Sequence, residues 1–208
     1  MKIGLVPGSF KPYHAGHDSL IRIAADENDV VIVFSSTTDR LRPREIPLYG
    51  ADMQQIIDKF VKPTLPSNVQ MISVGVPVAA VWQELEKSEK AKSKNTFTIY
   101  SDSEDILKYK PASLAKYAPK LYAKGQIALR GVDRNETVNV SGTAMREFIQ
   151  NGDVEQFISM LPPAMQKNGK KIYNLLLKGS KKTVVKKKPL TSESLLRSYV
   201  SYTLKRIS

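Results

Sequence analysis

The chain contains two histidines, and they lie three residues apart near its start. His14 and His17 belong to residues 8–17 (GSFKPYHAGH), which follow the apolar run 3–6 and precede a helical pattern. Side chains three residues apart on a helix face the same way. At the first turn of a helix, free N–H groups and the positive end of the helix dipole favour an anion. The pattern therefore predicts a phosphate site.

Two glycines in this stretch suit a phosphate-binding loop. Gly8 fits a tight turn leaving the strand, and Gly16 removes a side chain where a phosphate would need to approach the backbone closely. Two other interpretations stay open, since the histidines could cap an ordinary strand-to-helix turn or serve as ligands of a metal ion. The metal alternative is the weaker one because the chain has no cysteine and no third histidine.

A second predicted helix start carries two hydroxyls and an arginine. Ser141 and Thr143 can cap a helix that ends near Asn151-Gly152, and their hydroxyls with the free N–H groups form another anion cradle. Arg146 lies one turn further on, where its planar guanidinium can reach phosphate oxygens. Taken alone, this stretch would be a capped helix with a surface arginine.

Together the two stretches resemble the signatures of the nucleotidyltransferase superfamily. Residues 8–17 are similar to its HxGH signature, which also occurs in class I aminoacyl-tRNA synthetases, and the string Ser141-Gly142-Thr143-x-x-Arg146 is similar to its second signature. Within the superfamily the sequence is most similar to the small adenylyl- and cytidylyltransferases. It has neither the Lys-Met-Ser-Lys-Ser-like loop that a synthetase would need nor a Gly-x-x-x-x-Gly-Lys-Ser/Thr loop.

The resemblance implies an enzyme that transfers a nucleoside monophosphate from an NTP to a phosphorylated small-molecule acceptor and releases pyrophosphate. The implied catalytic residues are His14 and His17 on the α- and β-phosphates, Arg146 on the leaving pyrophosphate, and Lys11 as a helper. The implied nucleotide-binding residues are Gly8, Ser9, Phe10, Gly16, Ser141, Gly142 and Thr143. Mg²⁺ would be delivered with the NTP, so no protein metal site is expected.

The form of the motifs favours ATP over CTP. Pro12 and the Ser-Gly-Thr-x-x-Arg string are closest to archaeal-type nicotinamide-nucleotide adenylyltransferases, which join ATP to nicotinamide mononucleotide in NAD biosynthesis. Ser9 and Lys11 stand where those enzymes usually have Arg and Gln. Two alternatives stay open: a cytidylyltransferase acting on a phosphorylated sugar or alcohol, and a non-catalytic nucleotide-sensing or nucleic-acid-binding protein that acts through a basic tail.

Other charged residues follow predicted strands. Arg40, Arg42 and Arg44 come after the second strand and could clamp the phosphate of the acceptor, with a solvated charged loop as an equal alternative. Asp102 and Asp105 follow the fourth strand, where capping or surface roles are favoured over contact with a nucleotide or hydrated Mg²⁺.

Composition limits the class of protein. The chain has 208 residues, 41% of them hydrophobic and 25% charged, which suits one domain with a small extension. The absence of cysteine excludes a disulfide framework, a thiolate zinc site and a cysteine nucleophile. No apolar run approaches the roughly 20 residues that span a bilayer, and the N-terminus enters a strand without a secretory signal. We therefore expect a cytoplasmic protein without membrane contact.

The positive charge is concentrated at the C-terminus. Residues 178–208 hold nine lysines and arginines against the single acid Glu193, which accounts for eight of the twelve excess positive charges. We expect a nucleotidyltransferase α/β domain over 1–177, then a basic linker and an amphipathic helix over 192–207. Self-docking or homo-oligomerisation is the favoured role of that helix, and nucleic-acid binding is not favoured.

Strand-like and helix-like segments alternate along the chain. Strands are predicted at 3–6, 30–34, 69–74, 96–100 and 126–129, and helical patterns cover 51–62, 78–86 and 106–124, with a solvated connection at 86–95. The alternation predicts an α/β fold, a Rossmann-like parallel sheet with helices on both faces, plus a helical C-terminal extension. Ligands of such sheets bind at the carboxyl ends of the strands, where both motifs are expected to meet.

Overall fold

The structure, a computed structural model, describes residues 1–133 and 135–181. Five strands form one parallel sheet with helices on both faces, so the predicted fold class is confirmed. The strands are β1 (Lys2–Gly8), β2 (Val30–Ser36), β3 (Val69–Val74), β4 (Thr96–Asp102) and β5 (Ile127–Val132).

The strand order is β3-β2-β1-β4-β5, so that β1 lies in the middle of the sheet. The chain moves outward from β1 to β3 and then crosses back to place β4 on the other side of β1. This reversal opens a crevice at the carboxyl ends of β1 and β4, which is where open α/β sheets bind ligands.

Nine α-helices lie in the described part of the chain. They are α1 (Ala15–Glu27), α2 (Gly50–Ile56), α3 (Pro77–Lys90), α4 (Pro111–Tyr117), α5 (Pro119–Ala123), α6 (Gly142–Asn151), α7 (Val154–Ser159), α8 (Pro163–Gln166) and α9 (Gly169–Lys181). The longest connection from a strand to a helix is residues 37–49, between β2 and α2. A π-helical turn (Ile57–Val61) and a 3₁₀ turn (Lys62–Thr64) continue α2, and another 3₁₀ turn (Asp105–Lys108) follows β4.

The sheet separates two hydrophobic cores. Successive strand side chains point to opposite faces: Val6 belongs to the core beneath α1, α2 and α6–α9, whereas Leu5 belongs to the core beneath α3–α5. Both side chains are fully buried, and burying an aliphatic side chain of this size stabilises the fold by about 1.5–3 kcal/mol. The middle of β1 is therefore buried on both faces, directly before the loop that carries the first motif.

Two predicted elements differ from the structure. The prediction of a solvated connection at 86–95 was wrong for its first half, since α3 continues to Lys90. Glutamate and lysine are good helix formers, so a run of charged residues does not end a helix. The helical pattern at 106–124 divides into a 3₁₀ turn and two short helices, because Pro111 and Pro119 each occupy a first helical position.

The C-terminal extension is only partly described. Helix α9 crosses the predicted domain boundary at residue 177 and reaches Lys181. The predicted amphipathic helix at 192–207 lies outside the described residues. Among the helices of residues 1–133 and 135–181, none is both long and apolar enough to cross a bilayer.

Candidate active site

The two sequence motifs meet at a cavity of about 400 Å³ at the carboxyl edge of the sheet. The loop after β1 and the start of α1 form one wall, and the start of α6 forms the other, with residues 101–102 of β4 beside them. The predicted site residues that line this cavity are Ser9, Phe10, Lys11, His14, Gly16, His17, Ser141, Gly142, Thr143 and Arg146. Gly8 lines a neighbouring cavity instead.

His14 is the N-cap residue of α1 and presents one ring nitrogen to the cavity. Its backbone is extended, and its Nδ1 accepts a hydrogen bond of 3.3 Å from the backbone N–H of His17. A neutral His14 therefore carries its proton on Nε2. Burial, and after it the positive charge of Arg146, lower the pKa of His14 to about 4. At neutral pH this ring is an uncharged N–H donor.

His17 stacks directly on His14. The ring centroids are 3.5 Å apart with 18° between the planes, and the edge of Phe10 packs against His17 at 5.0 Å. Burial, followed by the proximity of His14, lowers the pKa of His17 well below its ordinary value. Its Nδ1 is buried and has no hydrogen-bond partner among the described residues. The stack is thus a pair of neutral rings, since two imidazolium ions at this spacing would repel each other.

The loop between β1 and α1 has an unusual backbone at Phe10. Its φ of 52° lies in the left-handed region, which costs a bulky residue about 1–3 kcal/mol. The Phe10 ring folds back over Gly8, where a Cβ atom would lie 2.4 Å from the ring. Gly8 is therefore required for this close contact, and the buried ring of Phe10 holds the loop in place.

Gly16 lines the cavity, and its lack of a side chain also allows a close contact between the two motifs. A Cβ atom at Gly16 would lie 2.9 Å from the backbone oxygen of Val138 and 3.2 Å from the ring of His14. A side chain at this position would therefore collide with protein atoms. The small residue allows the loop before α6 to reach α1, which brings the two motifs together. The predicted contact of Gly16 with a phosphate stays a prediction.

The start of α6 forms the opposite wall. Ser141 Oγ accepts hydrogen bonds from the N–H groups of Thr143 (3.1 Å) and Ala144 (3.4 Å), so the predicted cap is present. A Cβ atom at Gly142 would lie 3.2 Å from Nη1 of Arg146 and 3.7 Å from Nε2 of His14. The guanidinium and the proton-bearing imidazole nitrogen are therefore both close to the same glycine.

Arg146 is buried and is held by several groups at once. Its Nη1 donates to the Lys11 carbonyl (3.1 Å), its Nη2 donates to Thr143 Oγ1 (2.8 Å), and its Nε lies 3.0 Å from Oε2 of Glu45. The Lys11 ammonium donates to the Thr38 carbonyl, and burial lowers the pKa of Lys11 while Asp39 opposes that shift. Both cationic side chains are fixed before any ligand binds.

Glu45 is a site residue that the sequence analysis did not find. Its carboxylate accepts from Arg40 at 2.8 and 3.1 Å as well as contacting Arg146, and the hydrogen bond from Arg40 is the main cause of its lowered pKa. Arg40 lines the cavity, Arg42 is exposed and lines neither cavity, and Arg44 lines an outer groove. The sequence feature that could have indicated Glu45 is its position directly after the three closely spaced arginines.

A second cavity of about 340 Å³ adjoins the first. The two share Pro7, Ser9, Ser101 and Asp105. Val76 and Val78 on one side and Tyr109 on the other give the second cavity apolar walls. Its Val76 and Val78 side chains are exposed, and the buried Tyr109 hydroxyl has no hydrogen-bond partner among the described residues.

Asp102, which was considered from the sequence, and Trp82 both have structural contacts. Asp102 caps the 3₁₀ turn by accepting from the N–H groups of Glu104 and Asp105, although its side chain also borders the first cavity. Trp82 stacks on Tyr117 with centroids 5.0 Å apart and lines neither cavity. Within residues 1–133 and 135–181, no three His, Asp or Glu side chains are grouped so as to hold a metal ion.

The fold and the paired cavities place the chain among Rossmann-like α/β proteins with a ligand crevice at the sheet's carboxyl edge. No protein-family model matches the sequence, and no curated protein is similar to it. Solved structures do share its fold. A Vibrio parahaemolyticus protein named as a nicotinate-nucleotide adenylyltransferase superposes with a TM-score of 0.55 at 20% identity, covering 85% of this chain and 98% of that one.

Another similar structure is a bifunctional NMN adenylyltransferase/ADP-ribose pyrophosphatase from Francisella tularensis. It superposes with a TM-score of 0.55 at 18% identity, over 88% of this chain and 54% of that one. A second structure of that description, complexed with AMP and a manganese ion, has a TM-score of 0.51 at 18% identity over 99% of this chain and 55% of that one. The present chain spans about half the length of the Francisella protein. At these identities, the likeness establishes the fold.

Proposed function

We propose that this protein is a nucleotidyltransferase that moves a nucleoside monophosphate from an NTP to a phosphorylated acceptor. ATP is the favoured donor and nicotinamide mononucleotide the favoured acceptor, so that the product would be NAD. One observation carries the proposal: His14 from the first motif and Arg146 from the second converge on Gly142 at the wall of one cavity. Neutral N–H donors and a buried cation there form a site suited to a polyphosphate.

The reaction needs no covalent enzyme intermediate. An oxygen of the acceptor's phosphate attacks the α-phosphorus of the NTP, and the bond from that phosphorus to the oxygen bridging to the β-phosphate breaks. Pyrophosphate leaves with the electron pair. Catalysis is then positioning and charge stabilisation.

Each cavity residue has a role that follows from its contacts. We assign the Nε2–H of His14 to an oxygen on the α-phosphate, where it donates as a neutral ring. We assign His17, which stacks on His14 and also lines the cavity, to the β-phosphate. We assign Arg146 to the pyrophosphate, whose charge rises as it leaves. The hydroxyls of Ser141 and Thr143, together with the positive end of the α6 dipole, complete its cradle.

Mg²⁺ is proposed as part of the substrate. The cavity wall contains the carboxylates of Asp102 and Asp105, but Asp102 already caps a turn and Asp105 pairs with Lys108. Magnesium usually binds through one or two carboxylates together with the phosphates of a substrate. This donor set fits a divalent ion that arrives on the triphosphate.

The second cavity suits the acceptor because it adjoins the first along a shared wall. Its apolar sides suit a flat ring more than a polyhydroxylated sugar, which supports nicotinamide mononucleotide over a sugar phosphate. Its shared Ser9 and Ser101 would lie between the ring and the reacting phosphates.

The test is release of pyrophosphate from ATP, CTP, GTP and UTP, each supplied with nicotinamide mononucleotide, phosphopantetheine, sugar phosphates or phosphocholine. We expect the fastest release with ATP and nicotinamide mononucleotide, and a loss of about 10²–10³-fold in turnover for His17→Ala. Equal release by His17→Ala and by the unaltered protein would refute the assignment. Release only with CTP would transfer the proposal to a cytidylyltransferase.

A further inference from the structure

We infer that Glu45 is a positioning residue that sets the orientation of Arg40 and Arg146 toward the triphosphate. The inference rests on the proposed function and adds a residue outside both sequence motifs. It is drawn from the contacts of this carboxylate with the two guanidinium groups and from its place behind them.

The carboxylate of Glu45 bridges the two arginines. Its Oε2 lies 2.8 Å from Nε of Arg40 and 3.0 Å from Nε of Arg146, while its Oε1 lies 3.1 and 3.5 Å from their Nη2 atoms. Arg40 donates two hydrogen bonds to this carboxylate, whereas Arg146 donates one from Nη2 and its Nε lies at ion-pair distance without a hydrogen bond among the described residues. The same edge of each guanidinium thus faces the same acid, which orients both planar groups. Nη1 of Arg40 is left out of these contacts with Glu45.

Seen from the first cavity, where the triphosphate is proposed to bind, Glu45 lies behind the two arginines. Arg40 and Arg146 line that cavity, whereas Glu45 lines an outer groove together with Ile46 and Ile149. A carboxylate at the cavity surface would repel a triphosphate. At the back it can hold the guanidiniums without occupying the place of the phosphates.

The loop that carries Glu45 is itself held in place. Arg40 and Leu48 exchange backbone hydrogen bonds of 2.8 and 3.1 Å, which close residues 40–48 into a short antiparallel loop. Ile46 and Leu48 are buried in the core beneath α6 and α9. The N–H of Gly50 also donates to Asp39 at 2.8 Å. The carboxylate is therefore presented on a fixed element, as a preorganised site requires.

The negative charge of Glu45 also compensates the positive charges of the two arginines. Arg146 is buried, and both its burial and the charge of Arg40 lower its pKa, whereas Glu45 raises it. Without Glu45, two guanidiniums would face each other in a partly buried place with no compensating acid. They would then turn away from each other, and the preformed cluster would be lost.

The experiment compares Glu45→Gln with Glu84→Gln. Glu84 has the same side-chain exposure of 24% and also pairs with a nearby cation, Lys87, but it lies on α3 away from the cavity. Binding of inorganic triphosphate is measured by calorimetry, and kcat/KM for the NTP by pyrophosphate release. We expect Glu45→Gln to weaken triphosphate binding and lower kcat/KM about tenfold, while Glu84→Gln changes both less than twofold.

A double-mutant cycle separates positioning from general damage. If Glu45 acts through Arg146, the combined Glu45→Gln/Arg146→Ala variant binds triphosphate only slightly less well than Arg146→Ala alone. If the affinity losses of the two single variants multiply in the double variant, the inference is overturned. Tighter triphosphate binding by Glu45→Gln would also overturn it, because Glu45 would then be a competitor of the ligand. If the effects of the Glu45 and Arg146 substitutions on triphosphate binding are coupled, but no acceptor receives a nucleotide, the inference is supported and the proposed function is refuted. If nucleotide transfer occurs and Glu45→Gln does not affect it, the proposed function is supported and the inference is refuted. A protein that binds no triphosphate would refute both.

Discussion

The guanidinium of Arg146 donates a hydrogen bond of 3.1 Å to the backbone carbonyl of Lys11, 135 residues earlier in the chain. This bond joins the two motifs directly, since Lys11 lies in the loop before α1 and Arg146 in the second turn of α6. The oxygen that accepts this hydrogen bond is a backbone atom. The position of the guanidinium therefore depends on the conformation of that loop, which the left-handed Phe10 maintains.

The first prediction concerns Arg146→Lys. Lysine keeps the charge but lacks the planar fork, so it cannot contact the Lys11 carbonyl, Thr143 Oγ1 and Glu45 together. We expect kcat/KM for the NTP to fall about 10²-fold. Arg22→Lys is the matched control, because Arg22 also binds a carboxylate, that of Asp18, and a backbone carbonyl, but away from both cavities. Equal kcat/KM values for the two variants would contradict the role of Arg146.

The second prediction is a pH dependence of stability. The pKa of His14 is about 4 in the folded protein and 6.5 when unperturbed. Between these values the unfolded chain binds a proton that the folded protein does not, so the free energy of unfolding decreases as the pH falls from about 6.5 to about 4. The pKa of His17, also lowered, acts in the same direction. Each histidine contributes a slope of up to about 1.4 kcal/mol per pH unit.

Urea unfolding at several pH values between 4.5 and 7 measures this slope. The informative variant is His14→Asn, because asparagine can still accept the cap hydrogen bond but does not titrate. We expect its slope to be lower than that of the unaltered protein by the share of one histidine. Carboxylates common to both proteins cancel in the difference, so identical slopes would mean that His14 has an ordinary pKa.

The third prediction compares two aspartates, each paired with a cation four residues later. Asp18 accepts from Tyr13 (3.0 Å) and Arg22 (2.7 Å), and its side chain is 9% exposed, whereas Asp58 pairs with Lys62 and is 49% exposed. We expect Asp18→Asn to lower the free energy of unfolding by about 1–3 kcal/mol, and Asp58→Asn to change it by less than about 0.5 kcal/mol. Chemical denaturation checks both values, and a larger loss for Asp58→Asn would be contrary to this account.

The fourth prediction tests the proposal that the second cavity binds the acceptor. Val78→Gln places a polar group on its apolar wall, and losing about 1 kcal/mol of apolar contact corresponds to roughly a fivefold rise in the KM of the acceptor. The KM of the NTP should be unchanged. Leu129→Gln is the control, since Leu129 is similarly exposed, at 39% against 43%, but lines neither cavity. If both variants have the acceptor KM of the unaltered protein, the second cavity is not the acceptor site.

Local features of the fold were predictable from the sequence. The strand at Val69–Val74 has the bounds that its apolar run predicts, and Ser141 caps α6 as its residue type indicates. Both depend on neighbours within a few residues. The end of α3 at Lys90 was missed because a solvated helix surface and a solvated loop have the same charged composition.

Contacts between distant residues were not predictable. Glu45 belongs to no motif, and its significance comes from Arg146, 101 residues later in the chain. At Gly16 the sequence predicted a phosphate contact, but it could not show that the backbone of Val138 also comes so close that a side chain would not fit.

By itself the sequence determined which chemical groups stand at two helix starts, because capping, the helix dipole and the side-chain period act over a single turn. Only the tertiary structure decided that those starts share one cavity and that an acid lies behind two arginines. These features depend on the strand order and on burial, which bring residues more than a hundred positions apart into hydrogen-bond contact.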